Sequence, residues 1–497
     1  MGQGQAQAAD RLELAPLAVY DTGIFNKSAA EIVVYNKTSK LFYVVNGATP
    51  SVDVFRLNGK TTERLLALSL APSEAPTSVA TYGKLIAVAV HNPALDGRPG
   101  KIILFSNNHK RIADFPAGFL PDMVSFSPDG KYLLVANEGE PDKNSDPEGS
   151  LTLIIINSKK PNMSIIKQID FKGFKANELR KSGVRISPGK SFSQDVEPEY
   201  IAFSADSRRA WVSLQENNAL AEITLNKAEI TRIMPLGLKD HSLPGQGMDP
   251  NDNDGINIIS VPVMGMYMPD AIAAMNIGGK SYILTANEGD ARDEDVKAKK
   301  AKFDKNALTK SQIKSLGKLR LSSTDGDTDH DGDIDVPHSY GARSFSIFSD
   351  KGKLVFDSGD DFEQITAERL GEFFNSDNKK AASADKRSDN KGPEPEGITV
   401  GTVGERTFAF VTLERVGGIM VYDVSDPYAP VFQSYYVSRT FGADMDFDLI
   451  DDRKKAGFLG PEGIYFISAK DSPTKKPLLL VANEVSGNVE ILEINGL

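Results

Sequence analysis

Apolar residues come along this chain in short runs rich in Val, Ile, Leu and aromatic side chains. Each run is broken by Gly, Asn, Asp or Ser: KLFYVVNG, KLIAVAVHN, KYLLVANEG, RAWVSLQEN, SYILTANEG, TFAFVTLER and LLLVANEV. This patterning predicts short strands joined by tight turns. A fixed phrase precedes most of the runs: Pro, an acid, any residue, then Ile or Val. It stands at Pro121-Asp122, Pro198-Glu199, Pro269-Asp270, Pro395-Glu396 and Pro461-Glu462, with weaker copies at Ala30-Glu31 and Pro76-Thr77-Ser78. A third apolar stretch follows in every copy: SVDVFRL, GKIILFS, SLTLIII, LAEITL, SFSIFS, GGIMVYDV and NVEILEI. Seven copies of strand–turn–strand–turn–strand, each completed by a more variable fourth strand, predict an all-β fold, a seven-bladed β-propeller. A parallel β-helix, the rival, would show shorter and more regular coils.

At about 45 residues per blade the repeats occupy roughly 315 residues, so the 497-residue chain carries insertions. We place these near residues 235–268, 293–335 and 360–392, with residues 13–497 forming one propeller domain. Two stretches inside them, VKAKKAKFDKNALTKSQIKSLGKL and FEQITAERLGEFFNS, read as helical. SDNKKAASADKRSDNKG reads as a polar surface loop, and the Lys runs read as solvated faces. Residues 1–12, with Ala6-Gln7-Ala8, look like the disordered remnant of an export signal.

The repeat has a consequence for chemistry. In a propeller blade the first strand lies nearest the axis and the second runs back antiparallel. The start of the first and the end of the second therefore meet at one mouth of the channel. Two sets of acids are expected there. The inner set is Glu31, Asp122, Glu199, Asp270, Glu396 and Glu462, with Ser78 in the second blade. The outer set is Glu138, Glu216, Glu288, Glu414 and Glu484. Carboxylates packed this closely must take up protons or be neutralised by cations. Oxygen-rich clusters suit Ca²⁺, Mg²⁺ or Mn²⁺, and Zn²⁺ if a His joins. Purely structural use of some of these acids, capping blade turns, is the competing reading. The expected metal ligands are Glu138, Glu199, Glu288, Glu396, Glu414, Glu462 and Glu484, joined by His338, whose segment PHSYGARSFSIF leads into a blade strand.

A second signal is independent of the repeat. Asp327, Asp329 and Asp331 stand at positions 1, 3 and 5 of an EF-hand-like loop, Gly332 at 6, Asp333 at 7 and Asp335 at 9. Position 12 is His338 instead of the usual Glu, so this Ca²⁺ loop must close in another way. Arg292 and Arg343 are the cations placed to serve an anionic substrate; the alternative is that each neutralises adjacent acids. No P-loop, dinucleotide fingerprint, nucleophile elbow or HExxH motif occurs.

The formal net charge of −11 disfavours a nucleic-acid partner and favours cations. Cysteine is absent, which excludes disulfides, thiolate metal sites and a Cys nucleophile. No apolar run is long enough to span a membrane.

The segments PDMVSFSPDGKYLLVANEGEPD, ILTANEGDARD, DGDIDVPHSYGARSFSIF, PEPEGITVG and GPEGIYF resemble the bacterial choice-of-anchor I family over nearly the whole chain, and the chain is similar to seven-bladed propeller phosphotriesterases. Members of that family are secreted or surface-attached and often labelled alkaline phosphatase-like or phytase-like. The resemblance implies an exported protein, periplasmic or extracellular. It implies a phosphoester hydrolase acting on mono- or triesters, with two divalent metal ions (Mn, Zn or Ca) held by the matching acids and His338. A Ca ion at the Asp-rich loop would add rigidity. The alternative is a non-catalytic, calcium-stabilised surface propeller for adhesion or ligand capture.

Overall fold

The computed structural model describes residues 11–93, 98–141, 145–292, 294–442 and 445–496. The export-signal reading at Ala6–Ala8 lies outside them. Seven antiparallel four-stranded sheets form the blades, in the order the repeat predicts. Blade 1 runs Val33–Asn36, Leu41–Asn46, Ser51–Asn58 and Thr61–Ser69; blade 2 spans 75–119, blade 3 spans 121–170 and blade 4 spans 198–235. Blade 5 takes its inner pair from Ile272–Ile277 and Lys280–Ala286. Its outer pair, Phe345–Ser349 and Leu354–Asp357, follows a long insertion. Blade 6 spans 395–436.

Blade 7 holds a feature that the repeat did not disclose. Its three strands at 461–495 are completed by Glu13–Asp21 from the other end of the chain, paired antiparallel with Asn488–Asn495. Hydrogen bonds between the two ends of the chain therefore close the ring of blades. Leu12, assigned from the sequence to the leading remnant, is fully buried, and its carbonyl accepts a bond from the Ser434 hydroxyl (2.9 Å).

Apolar faces of neighbouring blades form the core. Phe42, Val44 and Phe55 of blade 1 pack with Leu480 and Ile491 of blade 7, and Ala136 and Leu151 of blade 3 pack with Val212 and Ala221 of blade 4. Strand residues buried on both faces explain the continuous apolar runs.

The insertions are more structured than their composition suggests. Three-residue strands at 238–240, 264–266, 295–297, 320–322 and 338–340 build an eighth sheet, with a parallel pairing of Met264–Met266 against His338–Tyr340. The Lys-rich stretch is α-helical only over Lys310–Leu316, between a Thr309/Gln312 capping box and Gly317, with a single 3-10 turn at Ala298–Lys300. Upstream of that helix Phe303 bridges Ile334, so tertiary pairing overrides helix propensity there. Asp361–Leu370 is a helix as expected. The segment 375–392 is not a solvated loop. Asn375, Ser376, Asn378, Ser383, Ser388 and Asp389 are buried, and the side chains of Asn375, Asn378 and Ser388 find hydrogen-bond partners within the segment or on the blades. It forms a strap across blades 5 and 6, legible as polar but not as buried.

Candidate metal centre

The Pro-acid phrase has a local geometry that explains it. Pro121, Pro198, Pro395 and Pro461 pair with the last residue of the second strand, and the register then slips before the next paired residue. The acid lies inside that bulge. Proline suits a position that needs no ladder N–H, and the bulge re-aims the following side chain. In the Asn-Glu phrase the two residues divide the work. Asn137 bonds Gly118, Ser150 and Thr152, and Asn287 bonds Thr285, Ser344 and Ser346, so the Asn pins the strand ends. The Glu behind it is set beside the inner acid: the amides of Glu138, Glu414 and Glu484 donate to the carbonyls of Leu120, Glu394 and Gly460, each just before a Pro.

The two acid sets converge at one mouth. Glu199 faces Glu138, Glu216, Asp122 and Asp270, and Glu462 faces Glu31, Glu484, Glu414 and Asp270. Burial, with these like charges, raises Glu31 to about 8 and Asp122 to about 6. It pushes Glu138, Glu199, Asp270, Glu396 and Glu462 well above the usual carboxylate range. Asp270 and Glu396 face one another. No Lys or Arg among the described residues pairs with any of the six inner acids. Oxygen atoms of Glu288, Glu396 and Glu414 lie within 4.8 Å of one another.

Around this ring lies a set of cations, two of them from the strap and the others from turns that follow second strands of blades 5 and 6. Arg292 reaches Asp195 (3.2 Å), Glu197 (2.7 Å) and Glu216 (3.4 Å). Lys391 of the strap contacts Glu288, the Gly289 carbonyl (2.6 Å) and Glu394 (3.2 Å). Arg415 pairs with Glu414 (2.8 Å) and Glu394 (3.2 Å), and Arg387 with Glu394. Burial works against the charge on Glu394, but Lys391, Arg387 and Arg415 outweigh it and hold the group down to about 2. Burial raises Glu216 to about 7, with Arg292 opposing, and Glu414 to about 8, with Arg415 opposing.

The other expected residues lie elsewhere. His338 sits in the eighth sheet, with Nδ1 2.7 Å from the Val336 carbonyl; the charged groups it faces are Asp325 and Arg185, not the ring. Arg343 is 3% exposed, and its terminal nitrogens are taken up by Glu363 (2.6 Å) and the carbonyls of Asp249, Ser388 and Asn390. It braces the strap. Arg292 belongs to the ring but is held by its three acids, which leaves it a neutralising group.

In the Asp-rich loop, Asp327, Asp329 and Asp335 bring oxygens within 4.8 Å, and Asp333 and Asp335 do so with Asp304. Asp331 belongs to neither group; it accepts the Asp333 amide (3.2 Å). Asp304, Glu197, Glu394 and Lys391 were missed in the sequence. For two of them a signal existed: Glu197-Pro198-Glu199 and Glu394-Pro395-Glu396 double the acid across the proline.

The choice-of-anchor I domain model matches residues 31–427. The chain belongs to this family. A choice-of-anchor domain points to a protein of the cell surface or exterior. No helix among the described residues is long and apolar enough to cross a membrane. The chain is 34% identical to Gigasin-3a of Magallana gigas over 193 residues, 37% of this chain and 66% of that protein. It is 26% identical to a mesenchyme-specific cell surface glycoprotein of Strongylocentrotus purpuratus over 358 residues, 61% of this chain and 46% of that one. The matches thus span less than two thirds of either relative. Among solved structures it is similar to Kuenenia stuttgartiensis hydrazine synthase (TM-score 0.48, 13% identity, 95% of this chain and 99% of that one). It is also similar to streptogramin B lyase (TM-score 0.49, 10% identity, 99% and 100%).

Proposed function

We propose that this propeller is an extracytoplasmic, metal-dependent phosphoester hydrolase whose centre is the acid ring. The observation that carries the reading is the convergence of the two acid sets: six inner carboxylates without an ion pair among the described residues, one of which, Glu396, brings an oxygen within 4.8 Å of oxygens of the outer Glu288 and Glu414. The donor set fits a hard divalent ion, and Glu396 Oε2 is enclosed with no hydrogen-bond partner. Glu288, Glu396 and Glu414 would hold the ion, which supplies Lewis acidity toward a phosphoryl oxygen and a lowered pKa for water. The chain's own part is positional. Lys391 and Gln215 (2.9 Å) fix the two oxygens of Glu288, and Asn378 (2.8 Å) with Arg415 fixes Glu414. Glu31, raised to about 8 by burial beside Asp122 and Glu484, retains a proton near neutrality. The substrate would be a small anionic or neutral phosphoester.

The Asp-rich loop with Asp304 favours a second reading, a calcium-stabilised binding propeller without catalysis. Hydrolysis of nitrophenyl phosphate mono-, di- and triesters, with Mn²⁺, Zn²⁺ or Ca²⁺ and with a chelator control, separates the two. Chelator-sensitive turnover supports the hydrolase. Inactivity of folded protein with every metal favours the binding propeller.

A further inference from the structure

Directly beneath the inner ring the seven first strands enclose a channel of about 630 Å³ that opens at the opposite mouth. Its lining begins one or two residues after the ring acids, with Ile32, Met123, Tyr200, Ile272, Ile398 and Gly463. The only charged residues on its wall are Lys37 and Asp471, both from turns outside the inner strands. The chamber therefore has largely uncharged walls and an acidic end, and no cation of the described chain reaches the ring from below. Tyr200 joins the two regions: it lines the channel, and Asp270, Glu462 and Asp122 face its phenol. Tyr465 lines the wall as well.

We propose that this channel binds a small organic cation, an ammonium group carried on an apolar body. The volume is that of a small-molecule site. A hydrated metal ion gains little from apolar walls, and an anion or neutral ligand leaves the acidic end uncompensated. An ammonium set at the ring end of the channel meets the carboxylates while its apolar body lies against Tyr200 and the uncharged wall. The inference goes beyond the hydrolase reading and shares with it only a cation at the acid ring.

The test is calorimetric titration of the chelator-treated full chain near pH 8 with choline and with its uncharged isostere 3,3-dimethylbutanol, beside a parallel Mn²⁺ titration. Choline is expected to bind one to one, and the isostere at least about ten-fold more weakly. Tyr200→Leu should weaken choline about five-fold and leave Mn²⁺ binding unchanged. Thr399→Lys, which places an ammonium on the channel wall, should abolish choline binding in a folded protein. Absence of choline binding, equal binding of the isostere, or indifference to both Tyr200→Leu and Thr399→Lys would overturn the proposal. Mn²⁺ binding without choline binding refutes the channel site alone; choline binding without Mn²⁺ binding refutes the metal reading alone.

Discussion

Glu394 and Glu396 stand two residues apart in one segment, Pro-Glu-Pro-Glu-Gly, and have opposite electrostatic fates. Glu394 is fully buried, yet three cations hold it ionised. Glu396, set in the bulge after Pro395, faces Glu288, Asp270, Glu414 and Glu462 and forms no ion pair among the described residues; Lys391, already paired with Glu288 and Glu394, acts on it only from a distance. The proline between them divides a flank that the fold neutralises with its own cations from a ring that it leaves without ion pairs. A carboxylate that is only structural is served as Glu394 is. Six left as Glu396 is left must hold protons or take up an external cation. Glu394 itself has a left-handed backbone (φ 52°), a conformation costly for a non-glycine residue and maintained here by the ion pairs around it.

The comparison can be broken from either side. The largest effect is expected on the flank. Glu394→Gln strands Lys391, Arg387 and Arg415 beside a neutral group and should cost about 3–5 kcal/mol in denaturant unfolding. A loss near zero would mean that the strap is not held by these pairs.

Next comes the pH dependence of the metal-free protein. Glu31, Glu197 and Glu414 have folded pKa values raised to about 8 from 4.5. The folded state therefore retains protons that the unfolded chain releases. The contribution of these groups to stability is greatest below about pH 4.5 and declines as pH rises to about 8, by about 3 kcal/mol with discount for their coupling. Saturating divalent cation should remove most of that decline, read as thermal midpoints with and without chelator.

A smaller effect is expected from Glu462→Gln. Neutralising one of the repelling acids should raise the stability of chelated protein at pH 8 by about 1 kcal/mol while weakening metal binding. Destabilisation instead would mean that Glu462 is already compensated. The smallest effect belongs to His338→Asn, which should change Mn²⁺ affinity by less than about two-fold, because its half-buried ring faces Asp325 and Arg185 and not the acid ring. A ten-fold loss would return His338 to the centre.

The blades were legible because each is a local unit. Pro-acid starts, Asn-Glu ends and the third strand of all seven copies fall where the pattern puts them, and so does the convergence of both acid sets. What escaped the sequence depends on contacts remote in the chain. Closure of blade 7 by Glu13–Asp21 pairs residues from opposite ends. The eighth sheet uses three-residue strands too short to show a period. The strap reads as solvated because its polar side chains carry no sign of the partners that bury them. His338 was misjudged for a related reason: the strand it enters pairs with Met264–Met266 in the eighth sheet, and the blade strand begins only at Phe345. Arg343 resembled a substrate ligand because Glu363, its partner, comes from a helix whose position no local pattern gives.

The central claim is that the inner ring is a cation centre because the fold supplies it no counter-charge. Equilibrium dialysis of chelator-treated protein against Mn²⁺ near pH 8, for wild type, Glu396→Gln and His338→Asn, tests it most directly. Wild type should bind Mn²⁺, Glu396→Gln should lose that binding by at least about ten-fold, and His338→Asn should retain it. No Mn²⁺ bound by folded wild type, or undiminished binding by Glu396→Gln, would contradict the account.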